Sequence, residues 1–106
     1  MPATILLCPK NDEESLLILK IAQAAGYPVV ISEQPHGARL YNEPNLISRL
    51  KYADLDARRV AIVEMPGPAV EEELRLIGYE VIIIDHHRYE DMDRMQHLSS
   101  LEQFLN

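Results

Sequence analysis

An aspartate and two histidines, Asp85, His86 and His87, end a run of four branched apolar residues in the stretch VIIIDHHRY, Val81 to Tyr89. A carboxylate beside imidazoles is a donor set for Mn²⁺, Fe²⁺ or Zn²⁺. Glu64 closes a second apolar run, VAIVE, and offers another carboxylate. Asp12, Glu13 and Glu14 follow a third apolar run and add oxygen donors. Lys10, Arg39, Arg88 and Arg94 are the cations that an anionic ligand would meet, and Tyr41 lies close to Arg39. Arginine in particular pairs with phosphate oxygens in a bidentate fork.

Each of these residues also has a plainer reading. Asp85 can cap the segment after a strand and leave the histidines on the surface. Adjacent strand residues point to opposite faces, so His86 and His87 converge on one ion only if the strand ends at Asp85 and the chain turns. Glu64 can be a solvated acid at a strand exit. Acids in a first helical turn are common because they suit the helix dipole. Arg88 and Arg94 have Glu90, Asp91 and Asp93 nearby as salt-bridge partners. Cys8 reads as a small core residue, and His36 and His97 stand alone.

The elements that must position these groups follow from apolar patterning. TILLC, residues 4–8, reads as a strand buried on both faces, as in a parallel sheet. NDEESLLILKIAQAAGYP then predicts a helix capped by Asn11, with Glu14 three residues on completing a capping box, and with Gly26 and Pro28 ending it. Residues 29–32, VVIS, read as a second strand. The span 33–44 reads as a loop and 45–53 as a short helix with Leu46, Ile47 and Leu50 on one side. Residues 60–64 predict a third strand. MPGP is a turn whose Pro68 favours a helix start, and Val70, Leu74 and Ile77 form an amphipathic stripe. Gly78 stops that helix and EVIIID, residues 80–85, is a fourth strand. Ser99 and Glu102 form a capping box for a last helix.

Strands alternating with helices predict one three-layer α/β domain over 1–106, Rossmann-like, with a mostly parallel sheet of at least four strands and right-handed crossovers. In open parallel sheets, ligands bind beyond the carboxyl ends of the strands. The segments carrying Asp12, Glu64 and Asp85 all converge on that edge, an arrangement suited to a divalent cation.

The bulk numbers narrow the function classes. A length of 106 residues fits a single domain with a real core. A net charge of −7 argues against general nucleic-acid binding, which needs a basic surface. It leaves room for a small phosphorylated ligand held through a metal or a few arginines. No apolar run approaches the roughly 20 residues of a membrane span, and the start MPATILLCPK does not resemble a signal peptide. One cysteine forms no internal disulfide. A cytoplasmic protein is the expectation.

IVEMPGPAVEEELRLIGYEVIIIDHH resembles the core segment of the DHH phosphoesterase family. In that family a strand ends in an acid, a Gly-containing turn and a helix follow, and a Gly introduces an apolar strand ending in Asp-His-His. The counterparts here are Glu64, Gly67, the helix to Ile77, Gly78, and Asp85, His86 and His87. The layout of Ile5 to Ile31 is also similar to the family's first strand, acidic turn and helix. The resemblance implies a two-Mn²⁺ hydrolase of phosphodiesters, phosphomonoesters or pyrophosphate. Asp85, His86 or His87, Glu64 and Asp12 would be the ligands, with Mn²⁺ or another divalent cation as cofactor. Lys10 or Asn11 stands where a first-motif aspartate is expected, and Glu64 where the family usually has aspartate. The 106 residues hold no counterpart of the family's second, substrate-binding domain, so a homodimer or a partner subunit would have to supply it. Two readings follow. One is a metal-dependent phosphoesterase. The other is a catalytically degenerate module that binds a nucleotide or a protein partner, which the departure at Lys10 and Asn11 favours.

Overall fold

The computed structural model describes residues 3–85 and 99–105. Four strands, β1 (Thr4–Pro9), β2 (Val29–Ser32), β3 (Arg59–Val63) and β4 (Glu80–Ile84), form one sheet. Its order is β2-β1-β3-β4 and every pairing is parallel. Four α-helices connect or flank the strands: α1 (Glu13–Ala24), α2 (Leu46–Ala53), α3 (Pro68–Leu76) and α4 (Ser100–Leu105). The expected three-layer α/β fold is therefore present, and a short 3₁₀ turn, Leu40–Asn42, interrupts the loop at 33–44.

Strand alternation divides the core into two halves. Ile5, Leu7, Val30, Val60 and Ile62 pack on one face with Leu46 and Leu50 of α2 and Leu74 of α3. Leu6, Cys8, Ala61, Val63 and Ile84 pack on the other with Ile18, Leu19 and Ala22 of α1, joined by Leu101 and Phe104 of α4. The two central strands face helices on both sides, which explains their continuous apolar runs.

The helix ends show how local chemistry sets the boundaries. The sequence places the α1 cap at Asn11, but the structure places it at Asp12, whose carboxylate accepts the Ser15 N–H at 2.8 Å. Ser15 rather than Glu14 completes the box, with its Oγ accepting the Asp12 N–H at 3.4 Å. Asn11 instead donates from its side chain to the Pro35 carbonyl at 3.1 Å, tying the turn after β1 to the loop after β2. Gly26, at φ 83, ends α1 in a left-handed conformation that suits glycine. The Val70, Leu74 and Ile77 stripe holds only in part. Leu74 is buried, whereas Ile77 lies just past the helix end and is 49% exposed. The capping box of α4 forms as expected, Ser99 N–H to Glu102 Oε1 at 3.1 Å and Glu102 N–H to Ser99 Oγ at 3.2 Å.

Candidate functional site

The strand order reverses between β1 and β3, since β2 lies beyond β1 and β4 beyond β3. In an open α/β sheet such a switch point leaves a crevice at the carboxyl ends of the strands. Glu64 ends β3 on one side of this crevice, and Asp85 ends β4 one strand further out. Val63 pairs with Ile84, and the Glu64 N–H donates to the Ile84 carbonyl at 2.9 Å. Glu64 and Asp85 therefore leave the sheet side by side on neighbouring strands, which run about 4.8 Å apart.

Both carboxylates are buried, Glu64 at 8% exposed and Asp85 at 2%. Two local devices hold them. Glu64 adopts φ 49, a left-handed conformation that costs a residue with a Cβ about 1 kcal/mol or more. Such strain persists only where the surroundings impose it, and it concentrates at functional sites. Asp85 is fixed through its backbone by α4. The Gln103 side-chain amide accepts the Asp85 N–H at 3.1 Å and donates to the Asp85 carbonyl at 2.7 Å. One side chain thus prolongs the hydrogen-bonding pattern of β4 beyond its last paired residue.

The left-handed conformation carries a prediction. Glu64→Gly and Glu64→Ala both remove the carboxylate, but only glycine is relaxed at positive φ. The glycine variant should be the more stable by about 1 kcal/mol in urea unfolding. Equal stability of the two would show that the backbone at residue 64 is not left-handed.

The switch point is acidic throughout. Cys8, at the end of β1, is fully buried and its thiol donates to the Pro9 carbonyl at 3.2 Å. Burial, with the nearby charges of Glu64 and Asp12, pushes that thiol from its ordinary 9.0 up to about 12. Cys8 is consequently a neutral core thiol at neutral pH, not a thiolate ligand. Glu71 is 4% exposed and accepts the Gly67 N–H at 3.2 Å, closing the first turn of α3. Asp12 closes the first turn of α1 in the same way. Each of these helix N-termini thus has one of the chain's own carboxylates beside it, which disfavours a docking anion. Glu71 and the electrostatic role of Cys8 were not apparent from spacing. The only signal was a glutamate four residues into the helix after Gly67-Pro68.

The other expected site residues separate. Lys10 forms an exposed ion pair with Glu33 at 3.0 Å, holding the turn after β1 to the loop after β2. Arg39 is brought beside the turn that follows Glu64, because its neighbour Leu40 donates its N–H to the Pro66 carbonyl at 3.0 Å. His86, His87, Arg88 and Arg94 lie outside the described residues. Among the described residues, no three His, Cys, Asp or Glu side chains gather in a group able to hold a metal ion, and no helix is long and apolar enough to cross a membrane.

The loop at 33–44 is organised by a buried network. Glu43, whose side chain is 2% exposed, accepts hydrogen bonds from Ser32 Oγ at 2.7 Å and from the Gln34 side-chain amide, and pairs with Arg49 at 2.9 Å. Arg49 also donates to the Ile31 carbonyl at 3.0 Å, so α2, the loop and the end of β2 share one knot. Burial alone would raise the Glu43 carboxyl. The hydrogen bonds from Gln34, Ser32 and Arg49, with the Arg49 charge, outweigh burial and hold it below its ordinary 4.5.

The chain matches no family model, no curated protein and no solved structure.

Proposed function

We propose that this chain is a DHH-like domain that binds a divalent cation of the Mn²⁺ type at the carboxyl ends of β3 and β4, and through it a small phosphorylated ligand. The observation that carries the reading is the burial of Glu64 and Asp85 at the carboxyl ends of the neighbouring strands β3 and β4. A carboxylate taken out of water needs positive charge, hydrogen-bond donors or a proton, and two are buried at these neighbouring strand ends. The residues that follow Asp85 directly, His86, His87 and Arg88, are of the types that supply these. With a carboxylate beside the N-termini of α1 and α3, a phosphate approaching this edge meets Asp12, Glu64, Glu71 and Asp85 and needs a cation between. The donor set of carboxylates and imidazoles fits such an ion. A bound ion would polarise a phosphoryl oxygen and lower the pKa of its water. The chain's own residues would fix the carboxylates: Gln103 through the Asp85 backbone, and the turn at residue 64. In this reading the enzyme hydrolyses a phosphodiester, a nucleotide or pyrophosphate, and a second copy or a partner subunit contributes to the substrate surface.

One observation favours a second reading. The Asp12 carboxylate is engaged as the α1 cap and Lys10 is paired with Glu33, so the first-motif region is built as structure. The chain would then bind its ligand without turning it over.

Calorimetric titration of metal-stripped protein with Mn²⁺ tests the common core of both readings. Saturable binding is expected, weakened about a hundredfold in Asp85→Asn, in the upper part of the range seen when metal-supporting groups are removed. Binding that is absent, or unchanged in Asp85→Asn, overturns the cation site. Hydrolysis of a model phosphodiester that depends on Mn²⁺ and is lost in Asp85→Asn selects the enzyme over the binding module.

A further inference from the structure

A cleft of about 300 Å³ opens at the opposite edge of the sheet, where β3 and β4 begin, lined by Lys51, Ala57, Arg58, Ile77, Gly78 and Tyr79. We infer that this cleft is a binding site for a phosphoryl group, formed by Arg58 and by Lys51, whose ammonium lies over the Tyr79 ring. It stands apart from the carboxyl-edge carboxylates and does not depend on the reading given for them.

The argument begins with charge. The chain carries 17 acids against 10 lysines and arginines, so a cation has ample carboxylates to choose from. Lys10, Arg49, Arg59 and Arg75 each take one. Among the described residues Lys20, Lys51 and Arg58 meet none, and of these Lys51 and Arg58 share one cleft. Arg58 makes only long contacts, 3.4 Å, to the carbonyls of Asp56 and Ala57 in its own turn. Lys51 places its ammonium 5.8 Å from the centre of the Tyr79 ring, a cation–π position that holds the charge at the cleft without neutralising it. Asp56 makes no ion pair with Arg58, and two other nearby acids are engaged elsewhere. Asp54 accepts the Asp56 N–H at 3.0 Å, and Glu80 pairs with Arg59 at 2.7 Å.

Geometry then limits the ligand. The volume lies at the small end of ligand pockets, so a compact group fits and an extended one does not. The floor is rigid, since Tyr79 is 6% exposed within the core and its N–H is bonded to the Leu74 carbonyl at 3.0 Å. An arginine fork beside a lysine point charge is the donor pair that suits a tetrahedral dianion. A monocarboxylate presents less charge and a planar pair of oxygens, and gains less from the two together.

Inorganic phosphate is the probe, followed by amide NMR of the full chain at Gly78 and Tyr79. Saturable shifts are expected with phosphate and not with equal ionic strength of acetate or chloride. Arg58→Gln and Lys51→Gln should each weaken the interaction about tenfold, the loss expected for one charge-assisted hydrogen bond. Both residues are exposed and outside the core, so the variants keep the fold. Arg59→Gln, which removes a cation already paired with Glu80, serves as the control and should leave the titration unchanged. Equal shifts with acetate or chloride overturn the inference, as does phosphate binding retained in both cleft variants. Mn²⁺ titration of the same variants should match that of the unaltered chain, which keeps this outcome distinct from failure at the carboxyl edge.

Discussion

Glu43→Ala should destabilise the protein by about 3 kcal/mol, the upper end of what leaving hydrogen-bond donors without their acceptor costs. The substitution strands more than a charge. Ser32 Oγ, the Gln34 amide and one arm of Arg49 all donate to this carboxylate, and each would lose its acceptor away from bulk water. Gln34 also grips Arg39 on both sides of the peptide chain, its Oε1 accepting the Arg39 N–H at 3.0 Å and its Nε2 donating to the Arg39 carbonyl at 2.9 Å. Losing Glu43 should therefore loosen the loop at 33–44 as well as lower global stability. Urea unfolding measures the first effect, and faster amide exchange at Arg39 the second. A loss under 1 kcal/mol would show that water replaces the carboxylate without penalty.

The same network sets a pH dependence. The folded-state carboxyl of Glu43 lies below its ordinary 4.5. A group with a depressed folded pKa contributes stability that is present above the unfolded value and is lost as pH falls through the folded value. Stability should therefore be flat in this group's contribution at neutral pH and decline below about pH 4.5, more steeply in the unaltered chain than in Glu43→Gln. Matching acid-unfolding profiles for the two would remove Glu43 from the transition.

The contrast between this network and the strands shows which parts of the molecule a sequence carries openly. The strands β1, β2, β3 and β4 are runs of apolar residues bounded by Pro, Gly or charge, and in the central β1 and β3 burial on both faces writes itself into the run without reference to other segments. The parallel sheet follows from the alternation of strands and helices, and the carboxyl-edge convergence of Asp12, Glu64 and Asp85 follows from the sheet. Contacts made by chain reversal are not written this way. Gln103 reaches Asp85 and Glu43 reaches Ser32 through the packing of whole elements, and no periodicity links those positions. The cap of α1 failed for a subtler reason. Asn11, Asp12 and Ser15 all suit a helix start, and the choice of Asp12 depends on Asn11 being drawn away to the Pro35 carbonyl. The left-handed backbone at Glu64 had no signal at all, because that conformation usually announces itself through Gly or Asn.

Gly67→Ala should cost about 1–3 kcal/mol, the range for overpacking a filled interior, and its cause is contact rather than backbone. Gly67 has φ 174, extended backbone that any residue adopts. A Cβ there, however, would lie 2.6 Å from the Leu40 Cβ, closer than two carbons pack. Leu40 is itself buried at 1% and anchored through its N–H to the Pro66 carbonyl, so it has little freedom to retreat. Relief must come from moving the loop at 33–44 away from the turn that follows Glu64, which carries Arg39 with it. Gly78→Ala makes the complementary test. Gly78 has open space around its missing Cβ but sits at φ 111, so alanine there meets backbone strain of about 1 kcal/mol without a clash. Truncating Leu40 should distinguish the two. In a Leu40→Gly background, which removes the clashing Cβ, the added penalty of Gly67→Ala should shrink, while that of Gly78→Ala should not change. A double-mutant cycle with no coupling between residues 40 and 67 would mean that the loop does not rest on this turn, and that Arg39 is not held beside Glu64 by packing.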